Sequence, residues 1–314
     1  TDGTRRVLRG QAVSRPADPT SEGHELLGWQ LNGEAYDFSA PVMGDLILMA
    51  WWGRSLSGSG TAEEPYQIGN AEELVVFRDI VNGANGRKLN SDACAVLTAD
   101  IVLNDGTFDE NGRYTRGESG MWLSDWTPMG QYERTSTAPE GYGGTFDGQG
   151  HTITGLYVST NAENTYASGL FAELAGSAVV QNVTVTGHIS VRGEGGGAVG
   201  GIAGAANGAA IRNCRNLCDI LLSKVDGSTS GVQISAGGIA GSSSGTIENC
   251  RNDGTLRAIA PNADGTMGRV GGIVGMSDKG TIRGCVNTGT ISGGISRDPK
   301  GRHGMGGILG VSFD

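Results

Sequence analysis

The sequence predicts an all-β fold: a parallel β-solenoid with a short N-terminal capping helix, preceded by a small separate β domain. Three observations predict it. The first is glycine: 56 of 314 residues are Gly, against 8 Pro and 6% aromatics. Each Gly inside a regular element costs about 0.5–1 kcal/mol relative to Ala, so this many are tolerated where φ > 0 or close backbone approach demands them. The second is a repeat. Gly200-Gly201-Ile202, Gly237-Gly238-Ile239, Gly271-Gly272-Ile273 and Gly306-Gly307-Ile308 recur at intervals of 37, 34 and 35 residues, with Gly169-Leu170-Phe171 as a divergent earlier copy. The third is a single segment with helical periodicity ahead of that repeat.

Taken from the N-terminus, residues 1–53 hold three of the five Trp and alternating apolar strings at Leu26-Leu27-Gly28-Trp29, Tyr36-Asp37-Phe38 and Asp45–Trp51. These mark a small β domain. The Ser/Gly-rich stretch 54–63 is a linker. Asn70-Ala71-Glu72-Glu73 is a capping-box start, and Leu74, Phe77, Ile80 and Val81 form one apolar stripe that stops at Asn82-Gly83. The helix predicted over 71–82 covers the open end of the solenoid, where unpaired strand edges would otherwise face water. Short strands follow at 95–98 and 100–103. Residues 104–143 are a long, polar, Gly-rich excursion, and segments of that length without clear elements are often functional.

The solenoid proper pairs each Gly-Gly-Ile string with a second one: Val180-Gln181-Asn182-Val183, Ile211-Arg212-Asn213-Cys214, Ile247-Glu248-Asn249-Cys250 and Ile282-Arg283-Gly284-Cys285. A unit this short cannot bury its apolar face alone and must stack on its neighbours. Stacking sets equivalent residues about 4.8 Å apart. Asn182, Asn213 and Asn249 are then expected to form one amide ladder and Asn216, Asn252 and Asn287 another. Cys214, Cys250 and Cys285 form a column of thiols whose spacing exceeds the roughly 3.5–4.5 Å between Cβ atoms of a disulfide, so they are expected free and buried.

A formal net charge of -10 with no Lys/Arg cluster argues against nucleic acid or an anionic membrane as partner. The five cysteines lack metal-ligand or CxxC spacing, and no apolar run approaches 18 residues, so direct membrane insertion is not expected. No signal peptide opens the chain, which reads as a processed product or a part of a longer multidomain one.

Two stretches carry family resemblances. Pro16–Thr20, Gly28-Trp29, Tyr36-Asp37-Phe38 and Ala50-Trp51 resemble, in order, the internalin-type (Listeria-Bacteroides) B-repeat of bacterial surface proteins. The resemblance implies a β-grasp-like module. His24 stands where that family places an aromatic, and the family's first strand is missing or shortened before Thr1, which implies a longer parent. Residues 64–314 are similar to the GLUG-motif region of bacterial surface proteins, which also occurs beside some IgA-cleaving metallopeptidases. The strings that carry the likeness are Pro65–Ile68, Leu97–Ile101, Trp126–Gly130, Gly144–Gly148 and the Gly-Gly-Ile copies. This resemblance implies a right-handed parallel β-helix in an exported protein of the bacterial cell surface. It implies no enzyme, because the peptidases' His-Glu-x-x-His zinc motif is missing from the sequence.

On this reading the chain is a non-catalytic adhesin, stalk or ligand-binding module whose partner is an extracellular protein or glycan. The alternatives are a β-helical polysaccharide lyase or glycoside hydrolase, using some of Asp100, Asp147, Asp219 and Asp253, and an accessory region of a surface metallopeptidase. His24, His151, His188 and His303 have no metal or nucleophile context, and His151 is expected to cap a turn. Trp122, Tyr132 and Tyr142, on the excursion, are the candidates for a glycan platform. Asp105, Asp109 and Asn111 offer the hard oxygens that calcium prefers, and no other cofactor is expected.

Overall fold

The computed structural model describes residues 3–120, 122–130, 141–161, 167–192, 197–223, 233–259, 267–293 and 304–313. Four parallel sheets of seven, eight, five and five strands wrap into a β-helix of about 4 turns, of the right-handed type. Each regular coil makes four strands in sequence. In one such coil these are Gly197–Gly200, Ala203–Asn207, Ala210–Arg212 and Arg215–Ser223. The next coil begins at Gln233–Gly237 and pairs with the first in parallel, residue for residue.

In-register stacking turns each repeated residue into a column. Ile202, Ile239 and Ile273 are fully buried, and each backbone N–H reaches the carbonyl of the equivalent Ile above it, at 3.1, 3.0 and 2.9 Å, the last to Ile308. Val180, Ile211 and Ile247 form a second buried column, and Val158, Ile189, Ile220 and Leu256 a third. Burying each such side chain contributes roughly 1.5–3 kcal/mol.

The Gly-Gly-Ile glycines serve close approach; those in the described coils have no positive φ. A Cβ on Gly201, Gly238 or Gly272 would overlap the side chain of Asn216, Asn252 or Asn287 respectively. The two halves of the repeat therefore fit each other, because the second glycine vacates the space that the ladder Asn fills. That ladder is bonded from rung to rung. Asn216 Nδ2 donates to Asn252 Oδ1 at 2.8 Å and Asn252 Nδ2 to Asn287 Oδ1 at 2.8 Å. Each amide also donates to the carbonyl two residues on, Cys218, Gly254 and Gly289 in turn. Buried amides satisfied in this way stabilise, where a half-satisfied row would destabilise.

The other Asn row has a different cause from the one the spacing suggests. Asn213 Nδ2 does donate to Asn182 Oδ1 at 3.1 Å. The shared feature is backbone, however: Asn182, Asn213 and Asn249 have φ of 55, 53 and 53°, and Gly284 takes the position next in line with φ 62°. Asn and Gly are the residues that occupy the left-handed region at least cost. Outside this corner, opposite charges alternate up the stack, with Arg212 Nε 3.9 Å and Arg283 Nη2 2.9 Å from the same Glu248 oxygen.

The capping helix spans Ala71–Asn82, as the stripe predicts. Asn70 Oδ1 accepts from Glu73 N at 3.0 Å, Glu73 Oε2 accepts from Gly69 N at 2.8 Å, and Gly83 closes the helix with φ 62°. Caps of this kind contribute about 1 kcal/mol each. Phe77 enters an aromatic cluster with Tyr66, Tyr142 and Phe146, at centroid distances of 6.3, 6.3 and 6.0 Å.

The excursion 104–143 is not one outlying loop. Its later part is a strip of the solenoid wall: Trp126 is buried, with its Nε1 donating to Leu170 O at 3.1 Å, and Met129 bridges Phe171 in parallel. The helix end grips that strip, as Asn82 donates to Pro128 O and accepts from Gly130 N. What projects is the segment from Asp105 to Asp125. Its neck is closed by the buried Asn104, whose amide donates to Ser124 O and Gly155 O and accepts from Ser124 N.

Residues before the solenoid form a three-stranded antiparallel sheet with His24–Leu31 between Glu34–Ala35 and Met49–Arg54. Among the described residues this sheet has no helix of its own. Tyr36-Asp37-Phe38 lies past the short edge strand, with Tyr36 N bonded to Trp29 O. Residues 54–63, expected as a linker, are bonded to the first coil: Ser57 bridges Gln67, and the buried Gly60 accepts from Cys94 N. The buried Arg87 joins the two parts by pairing with Glu25 and donating to Arg54 O at 2.7 Å.

Candidate functional site

Asp105 to Asp125 departs from the solenoid walls, and its chemistry is set by a small hairpin. Thr107–Phe108 and Tyr114–Thr115 pair antiparallel. The turn between them is made by Asp109, whose Oδ1 accepts from the N–H of Asn111 and of Arg113, both at 2.9 Å, and by Gly112 at φ 78°. The hairpin folds back onto the outer face of the eight-stranded sheet. Phe108 stacks on Tyr157 at 5.3 Å with rings 2° apart, and on His188 at 5.8 Å and 23°, while Tyr114 backs it at 5.3 Å. A Cβ on Gly112 would overlap the imidazole, so glycine lets the turn close down on His188.

His188 is 1% exposed, and neither ring nitrogen has a hydrogen-bond partner. Its cross-strand neighbours are Tyr157 and Asp219. Burial pushes its pKa below the usual histidine value; Asp219 and Asp109 pull it the other way, by less. A dry imidazole of this kind cannot pass protons to a substrate in solution while the hairpin is seated. Sequence reasoning set His188 aside, since nothing local in the chain announces that a hairpin from far upstream will cover it.

The three residues read as a glycan platform part company. Trp122 is the most exposed aromatic among the described residues, at 78%, with the Arg116 guanidinium 3.2 Å from its ring centroid. Tyr142 is corrected: it is fully buried in the aromatic cluster, 5.0 Å from Phe171, and its hydroxyl donates to Ala93 O at 2.8 Å. Burial and the neighbouring acidic groups push its phenol pKa well up. It is unavailable to a ligand because it plugs the solenoid end. Tyr132 lies outside the described residues.

The residues read as calcium ligands work in separate turns. Asp105 accepts from Ser119 N at 2.8 Å and Tyr114 hydroxyl at 3.4 Å, at the hairpin base, whereas Asp109 organises the tip through Asn111 and Arg113 N–H groups. These bonds hold both carboxyls below their usual pKa. Among the described residues, no three His, Cys, Asp or Glu side chains gather where they could hold a metal ion.

The four aspartates weighed for glycan chemistry do not converge on a groove; each bonds a neighbouring coil. Asp100 accepts from Thr152 N at 2.9 Å and contacts His151 Nδ1 at 3.2 Å, so the His151 ring pairs with the preceding coil, while its backbone N–H closes its own turn onto Gly148 O at 2.7 Å. Asp147 accepts from Gln181 and Asn182 side chains, and Asp219 from Thr255 N. Asp253 sits between Arg215 and Arg251, at 2.6 and 2.7 Å, with Thr288 donating to it. All five cysteines are free. Cys214, Cys250 and Cys285 stack, each Sγ within 3.6 Å of a carbonyl of the preceding coil, but only Cys214 and Cys250 are buried as expected; Cys285 is part-exposed. The Cys214 contact, with burial, pushes the Cys250 thiol up to about 12.

No protein-family model matches the chain. Over 158 residues, half of its length, it is 31% identical to halomucin of Haloquadratum walsbyi (strain DSM 16790 / HBSQ001), and that stretch spans 1% of the halomucin. In three dimensions it aligns with a putative immunoglobulin A1 protease from Bacteroides ovatus at a TM-score of 0.43 and 20% identity. The alignment covers 75% of this chain and 79% of that one.

Proposed function

We propose that this chain is a non-catalytic module of an exported bacterial cell-surface protein, a stalk or adhesin segment that meets an extracellular protein or glycan at the Trp122–Arg116 corner. The observation that carries this reading is where the reactive side chains go. The aspartates and thiols that a β-helical enzyme would aim into a groove are engaged between coils, and His151 joins them. An indole left 78% exposed beside a guanidinium is a flat, amphipathic contact for a sugar face or a partner's side chain. Identity with part of a protein named as a mucin, and the order of strings resembling a B-repeat followed by a GLUG region, support the surface context. Among the described residues no helix is long and apolar enough to cross a membrane.

The test is binding to immobilised mucin and polysaccharide arrays. Trp122→Ala is expected to weaken any captured ligand by about 10-fold or more, as loss of an aromatic anchor does. Release of reducing ends or unsaturated products from those polysaccharides would overturn the reading in favour of an enzyme.

A further inference from the structure

The hairpin is fastened to the solenoid in two separable ways. Its neck is held by Asn104 and Ser124, through bonds of 2.7–3.0 Å that do not involve its tip. Its tip is held by Phe108 lying across Tyr157 and His188, and by Arg257 Nη1, 3.5 Å from Glu110 O. Two strands of two residues each are not stable by themselves, so the tip stays down only as long as the face beneath suits it.

That face contains a titratable group, His188, whose buried ring nitrogens have no hydrogen-bond partner. The charged and titratable groups around His188 are Tyr157 on one neighbouring strand, Asp219 on the other, and Asp109, Glu110, Arg113 and Tyr114 on the hairpin. Asp219 Oδ1 is engaged by Thr255 N at 3.0 Å, Asp109 Oδ1 by two turn amides, and Glu110 faces Arg257. To turn its bonded oxygen onto an imidazolium, Asp219 would have to leave Thr255 N on the next coil, and Asp109 the two amides that shape the hairpin turn. Water is the cheaper acceptor, and water reaches His188 only when Phe108 and Gly112 move away.

We propose that the 105–119 hairpin is an acid-released latch, seated on Tyr157 and His188 while the imidazole is neutral and lifted from them when the imidazole takes a proton. Lifting bares a strip of two aromatic rings, Tyr157 and His188, beside Asp219 on the sheet face. The latch goes beyond the surface-module reading and does not depend on it. The direction follows from linkage. With the seated pKa lowered, stabilisation of the seated state is complete above the ordinary histidine value of about 6.5 and is lost as pH falls through the lower, seated value.

The experiment is hydrogen exchange of the full chain at about pH 7.5 and about pH 5, corrected for intrinsic exchange, with NMR titration of the His188 ring alongside. Amides of 105–119 are expected to lose protection by about 10-fold or more at the lower pH, while those of the coil strands Ala203–Asn207, Ala240–Ser243 and Val274–Asp278 hold. The His188 ring is expected to titrate below the ordinary value, in step with that loss. His188→Phe keeps a ring under Phe108 and removes the proton, so it should abolish the pH response of the hairpin. Phe108→Ala should raise exchange of the hairpin at both pH values. Unchanged hairpin protection in the wild type, an equal pH response in His188→Phe, or tighter protection at low pH from Asp109 or Asp219 capturing the imidazolium would each overturn the proposal. Should His188→Phe fail to fold, a wild-type ring that stays neutral through release, or titrates normally with the hairpin seated, overturns it equally.

Discussion

In the described coils between Gly197 and Gly293 the interior is filled level by level with Ile, Val, Leu, Ala and Cys, stacked in register on the same or a similar residue. Between Tyr66 and Ala175 the same interior holds Phe77 from the capping helix, Tyr142 and Met129 from the excursion, and Phe146 and Phe171 from strands, with the aromatic rings touching edge to face or tilted. The regular coils solve packing once and copy it. The entry end has no equivalent coil below it and has to be plugged, and large rings drawn from distant parts of the chain do that. The comparison shows why the irregular end carries the projecting hairpin, since residues there are not bound by a repeat that must fit above and below.

The largest effect expected from breaking this comparison is at the plug. Tyr142→Ala should cost about 3–5 kcal/mol in urea unfolding, as loss of a fully buried aromatic does, while Trp122→Ala, on the same excursion, should stay within about 0.5 kcal/mol. Equal effects would mean the plug is misassigned. Next comes the Gly–Asn fit. Gly238→Ala, which drives a methyl into Asn252 and into the backbone of Gly272, should cost about 3 kcal/mol. Gly307→Ala, at the same motif position but with nothing within 4 Å of the added carbon, should change stability by less than about 0.5 kcal/mol. A smaller effect belongs to the left-handed corner: Asn249→Ala should cost about 1 kcal/mol and Asn249→Gly close to none, separating backbone geometry from side-chain bonding. The smallest is a silence. Alkylation of the folded, unreduced protein near pH 8 should leave Cys214, Cys218 and Cys250 unmodified, since these thiols are buried and burial holds that of Cys218 far from ionising. A mass shift at Cys250 would show that the column breathes.

What the sequence makes legible follows the same division. The capping helix, the parallel coils, the Asn216–Asn252–Asn287 ladder and the thiol column are all visible, because a period reports which residues must be neighbours. The fit of Gly201 against Asn216 was present as two motifs, but their contact depends on how the coil bends, which spacing does not encode. The left-handed backbone at Asn213 left a signal that was available: Gly284 replaces Asn in the last copy, and Asn alternating with Gly is the mark of positive φ. Tyr142 was misplaced because a tyrosine in a polar, Gly-rich stretch looks exposed, and its burial depends on contacts with Phe77 and Phe171 that no local pattern specifies. Asn104 and His188 were missed for the same reason: one closes a neck 20 residues long, and the other waits under a hairpin made elsewhere.

The alternation of Arg212, Glu248 and Arg283 up one corner has a consequence for assembly. A chain of near-identical coils risks pairing a strand with the wrong copy, a characteristic misfolding route of repeat proteins. The Ile202–Ile239–Ile273, Asn216–Asn252–Asn287 and Cys214–Cys250–Cys285 columns cannot prevent it, since each of their copies offers the same residue. Charge can. If the coil carrying Glu248 were skipped, Arg212 would lie beside Arg283 at strand spacing, and like charges directly opposed across a strand pair are destabilising. The corner thus works as a numbering of the coils, telling odd from even, and it fixes the order of stacking without taking part in the core.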